Sequence, residues 1–80
     1  MENKIAVIAI IVEDYTQVEK VNDLLHEARD YIVGRLGVPY RKKEVSVISV
    51  VIDAPQTVIN AISGKIGMIN GVSSKVLVTK

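Results

Sequence analysis

Ile5-Ala6-Val7-Ile8-Ala9-Ile10-Ile11-Val12, set between Lys4 and Glu13, and Val45-Ser46-Val47-Ile48-Ser49-Val50-Val51-Ile52 are two apolar runs that decide the fold of this chain. Neither run has a helical stripe, and both are dominated by β-branched residues, so both read as strands. Each is followed by a helix-like stretch and then by a weaker strand. The order strand, helix, strand is therefore written twice in 80 residues, and it leaves few ways to build a sheet.

Working outward from the first run, Thr16 and Glu19 stand at capping-box spacing. Val18, Val21, Leu24, Leu25 and Ala28 gather on one face of a helix ending near Asp30. Tyr31 to Val38 reads as a strand broken by Gly34 and Gly37 and closed by Pro39, a composition suited to an edge or a bulge. A polar connection, Tyr40-Arg41-Lys42-Lys43-Glu44, leads into the second run. Asp53 or Ala54 is expected to cap a second helix with Pro55 in its first turn, and Val58, Ile59, Ile62, Ile66 and Ile69 supply its buried stripe. Gly64 and Gly67 weaken that helix towards its end. Asn70-Gly71 is a turn signal, and Val72 to Thr79 makes the last strand.

The expected class is α+β: a single domain over residues 1–80 with a ferredoxin-like βαββαβ order. The two strands apolar on both faces belong at the sheet centre and the other two at its edges. This gives an antiparallel order of 4-1-3-2 with two helices on one face. Two helices cover only one face of such a sheet. Yet in the first run Ile5, Val7, Ala9 and Ile11 oppose Ala6, Ile8, Ile10 and Val12, so one set lacks a cover within the chain. A large open apolar face is rare on a monomer, and a homo-oligomer, dimer or tetramer, is expected.

Ten basic and nine acidic side chains leave a net charge of +1, which gives no global attraction to nucleic acid or to an anionic membrane. The opening run is too short to span a bilayer and lacks the flanks of a signal peptide. Without cysteine there is no disulfide or thiolate metal site. The chain reads as cytoplasmic.

Residues that could carry chemistry are few. His26, the single histidine, falls away from the apolar stripe of its helix, and one histidine is short of the three or four ligands a zinc site uses. Arg35, between Gly34 and Leu36, has the guanidinium fork that suits an anion, although a charge on an edge strand also serves against aggregation. Tyr40 and Arg41 follow just after Pro39. His26, Arg35, Tyr40 and Arg41 are thus the candidate ligand-binding residues, with no metal site and no cofactor specified. Arg41-Lys42-Lys43 is a basic triplet that reads first as a solvated turn and second as a nucleic-acid contact. Neither glycine pair forms a phosphate-binding fingerprint, and no nucleophile, base and orienting group assemble, so an enzyme is not expected.

Leu25-His26-Glu27, the stretch from Tyr31 to Arg41, Ser46-Val47-Ile48-Ser49-Val50, Gly64-Lys65-Ile66-Gly67 and Gly71-Val72 together resemble one small family. It is the family of iron-only hydrogenase system regulators, stand-alone ACT-like domains similar in fold to the ligand-binding domain of the nickel regulator NikR. The resemblance implies an ACT-type homo-oligomer with a regulatory role in hydrogenase maturation or expression. It does not bring NikR's nickel ligands, which are several histidines and a cysteine, nor residues for its ribbon-helix-helix DNA-binding domain. Regulation of transcription would then pass through a partner. The expectation is a non-enzymatic regulator binding a small ligand or a protein partner at a subunit interface, the alternative being a nucleic-acid-binding oligomer acting through Arg41 to Lys43.

Overall fold

In the computed structural model, which describes residues 2–79, the two apolar runs are strands β1 (Asn3–Val12) and β3 (Val45–Pro55). Between them lie helix α1 (Val18–Glu27) and strand β2 (Ile32–Tyr40), and after them helix α2 (Gln56–Gly67) and strand β4 (Val72–Val78). One four-stranded antiparallel sheet results, in the order β2-β3-β1-β4; counted from the β4 edge this reads 4-1-3-2. The two strands with apolar residues on both faces are the central pair, where each is flanked by a neighbour on both sides.

Strand alternation sorts the core. Ala6, Ile8, Ile10 and Val12 of β1 and Ile48, Val50, Ile52 and Ala54 of β3 are buried, and they pack with Val21 and Leu25 of α1 and Ile59 and Ile66 of α2. Both helices therefore cover the same sheet face. Ser74 shares that parity on β4, and it is accommodated because its hydroxyl meets that of Ser63 on α2 at 3.2 Å. Full burial of an aliphatic side chain such as Ile8 or Ile10 contributes about 1.5–3 kcal/mol.

Several element ends differ from those read in the sequence. Thr16 does not cap α1. Asp14 does the capping instead, accepting from the Thr16 amide at 3.0 Å and from its hydroxyl at 2.6 Å, and it starts a 3-10 turn (Tyr15–Gln17) that leads into the helix. The helix stops at Glu27, and a second 3-10 turn takes up Arg29–Tyr31. Neither Asp53 nor Ala54 caps α2: both are still paired with β1, opposite Ile5 and Lys4, and Pro55 holds the N-cap position with extended backbone. Cross-strand pairing along the whole of β1 outweighs the local capping preference. Pro39 lies inside β2 rather than beyond it, since an edge strand pairs on one side only and tolerates a missing donor on the other.

The opposite sheet face has no helix. It presents Ile5, Val7, Ala9 and Ile11 from β1, Val45, Val47 and Val51 from β3, and Leu36, Val38 and Tyr40 from β2, with Leu77 from β4. Leu36 and Leu77, near opposite edges, are 64% and 75% exposed. Among the described strand residues, the charged side chains of this face are Asp53, across from Ile5, and Lys75, across from Ala9.

Candidate functional site

A groove of about 440 Å³ runs between α1 and β2, lined by Tyr15, Val18, Asn22, Arg35, Gly37, Pro39, Ser46 and Ile48. Its geometry starts from an irregularity in β2. Ile32 pairs with Ile52 and Arg35 with Val50, so three residues of β2 span two of β3 and Val33 is the extra one. Without that bulge, Ile32 and Arg35 would point to opposite faces. With it, both point to the helix side.

Arg35 thereby reaches α1, where its Nη2 donates to Asn22 Oδ1 at 2.7 Å. That partner is neutral, and among the described residues no acidic side chain lines the groove. The guanidinium keeps its charge uncompensated there, with further N–H donors free for an anion. The floor is built of small residues. A Cβ placed on Gly37 would meet nothing within 4 Å, and Ser46 is only 7% exposed. The Ser46 hydroxyl has no hydrogen-bond partner among the described residues, which leaves it available to the groove it lines.

The other candidates lie elsewhere. His26 is exposed one turn beyond Asn22 on α1, its carbonyl accepting from Arg29 Nη1 at 3.0 Å, and it does not line the groove. Tyr40 projects from the open sheet face, paired with Val45. Arg41 begins a 3-10 turn (Arg41–Lys43) and lines a separate cavity with Glu13, Asp14, Tyr15 and Glu44. Three carboxylates thus share that cavity with Arg41. Asp14 itself is held below the usual aspartate range, first by the hydrogen bond from the Thr16 side chain and then by that from the Thr16 amide.

Of the four residues singled out in the sequence, then, Arg35 alone lines this groove. Asn22, Ser46 and Tyr15 were not foreseen. Ser46 carried a signal, because it breaks the apolar parity of Ile48, Val50, Ile52 and Ala54 on β3. Asn22 carried none, since its partner depends on a bulge that composition does not locate. Among the described residues no three His, Asp or Glu side chains converge on a point that could hold a metal, and no helix is long and apolar enough to cross a membrane.

Comparison with other proteins extends the picture. No curated protein matches the chain. Among solved structures, it is similar to "uncharacterized protein TM1266 from Thermotoga maritima", with 32% identity and a TM-score of 0.93 over 99% of this chain and 100% of that one. Residues 4–76 match the model of the TM1266-like family, described as "Iron-only hydrogenase system regulator, putative". With that match spanning nearly the whole sheet and both helices, the chain belongs to the TM1266-like family.

Proposed function

We propose that this chain is a non-catalytic regulatory domain of the ferredoxin-like, ACT type that works as a homo-oligomer in the control of an iron-only hydrogenase system. The observation that carries the reading is the open sheet face. Its rows of Ile, Val and Leu run from Leu36 on one edge to Leu77 on the other, in a chain whose two helices are both spent on the opposite side. Soluble monomers rarely leave so continuous an apolar surface uncovered.

A second copy is the occupant that fits. Among the described strand residues the charges on the face are one of each sign, Asp53 and Lys75, so a twofold arrangement of two identical faces has complementary rather than repelling groups to offer. The family supports a regulatory role, and the scatter of His26, Tyr40 and Arg41 over separate surfaces supports a protein that binds rather than transforms. Its effect on gene expression or maturation then passes through a partner protein. Sedimentation equilibrium tests the assembly: the wild type sediments as a dimer or tetramer at micromolar concentration, and a monomer there overturns the reading.

A further inference from the structure

We infer that the groove between α1 and β2 binds an elongated monocarboxylic acid with an apolar or aromatic middle and a hydroxyl at its far end. The inference takes from the regulatory reading only its purpose, a small-molecule signal, and stands on the groove itself.

At one end Arg35 offers a guanidinium whose orientation is set by Asn22 and whose charge no neighbouring carboxylate cancels within the groove. A carboxylate accepts two parallel N–H bonds from such a fork. At the other end is the Ser46 hydroxyl, which lines the groove without a partner among the described residues and is able to donate or accept a bond.

The spacing sets the shape of the guest. Arg35 lies opposite Val50, four residues along β3 from Ser46, which is roughly 13 Å of strand at about 3.3 Å per residue. The arginine stem closes part of this distance, and the remainder calls for a body about as long as a substituted aromatic ring. That body would cross Gly37, where the missing side chain leaves room, against Val18 and Ile48. The groove volume, about 440 Å³, lies in the range of small-molecule sites.

The same lining excludes other guests. Among the described residues the groove has no carboxylate to match an ammonium, so amines and amino acids lack a partner there for their positive charge. A phosphate group would meet a single guanidinium, with no second cation among the described residues of the groove.

The test uses 4-hydroxyphenylacetate as the probe on the wild-type chain, followed by backbone amide NMR shifts and calorimetry. Saturable shifts are expected at Asn22, Gly37 and Ser46. Affinity should fall at least tenfold for 4-hydroxyphenylacetamide, which keeps the shape and loses the charge, and at least tenfold for Arg35→Gln. Gly37→Leu places a side chain in the groove where nothing else stands, so it should abolish binding with no loss of melting temperature. The inference is overturned if the wild type shows no saturable shifts, if the amide binds as well as the acid, or if inorganic phosphate displaces the acid at equal concentration. Sedimentation of the same samples separates the two readings. An oligomer that does not bind the acid sinks this inference alone, whereas a monomer that binds it sinks the proposed assembly alone.

Discussion

Gly71 sits so close against Asp14 that a Cβ on the glycine would lie 2.7 Å from Asp14 Cβ, and its backbone is left-handed, with φ of +77°. Its carbonyl accepts from the amides of Glu13 and Asp14 at 2.7 and 3.3 Å, which ties the turn before β4 to the end of β1. A side chain at this position fails twice, through backbone strain and through collision. Gly71→Ala should lose roughly 2 kcal/mol or more, read as a lower urea midpoint with an unchanged m-value. A stability equal to wild type would show that this contact is not tight in solution.

The other member of that contact titrates. Hydrogen bonds from Thr16 favour the charged form of Asp14, so its folded pKa lies below its unfolded one. The sign follows: Asp14 contributes stability above its unfolded pKa, near 4, and the contribution is lost as pH falls through the lower folded value. Asp14→Asn should therefore be less stable than wild type at pH 7, and the gap should narrow below about pH 4. Parallel melting curves from pH 2 to 7 give the comparison, and a gap that stays constant over this range would rule out the ionised cap.

Glu44 is the non-glycine residue with a left-handed backbone among those described, at φ 54°. It ends the turn between β2 and β3, and its strain is not required by any hydrogen bond of its side chain among the described residues. Glu44→Gly should relieve about 1 kcal/mol of backbone strain, offset in part by the freer unfolded chain. A melting temperature equal to or slightly above wild type is expected, and a fall of several degrees would mean that the carboxylate has a role in the turn.

The two faces of β1 should respond differently to the same chemistry. Ile8→Ala, on the helix side, removes a fully buried side chain and should cost about 2–5 kcal/mol. Val7→Lys, one residue away on the open side, should leave the isolated fold intact and dissociate the proposed oligomer, since it places a charge at the centre of the face that oligomer would share. Thermal denaturation and sedimentation, run on both variants, distinguish these outcomes. An oligomer unchanged by Val7→Lys would move the interface off this face.

Much of the fold was legible along the chain because its signals are local and repeated. Apolar runs too dense for a one-sided strand marked β1 and β3 as central. Gly34, Gly37 and Pro39 suited β2 to an edge or a bulge, and it is an edge strand with an irregularity at Val33, a place those residues did not locate. The element ends were less legible. Thr16 and Asp53 have the side-chain oxygens of helix caps, but Asp14 accepts from Thr16 instead, and the full length of β1 keeps Asp53 and Ala54 in the ladder.

By itself, the sequence determined the α+β order, the identity of the central strands and the presence of more apolar strand surface than two helices can cover. These follow from periodicity and from counting, which need no knowledge of distant contacts. Only the tertiary structure decided which parity faces the helices, and so which residues remain open, because Ile5 and Ile8 are equally apolar until a helix lies on one of them. It also decided the site. Arg35 meets Asn22 and shares a groove with Ser46 because one extra residue in β2 turns its side chain to the helix side, and the place of a bulge is settled by the partner strand rather than by the residues that form it.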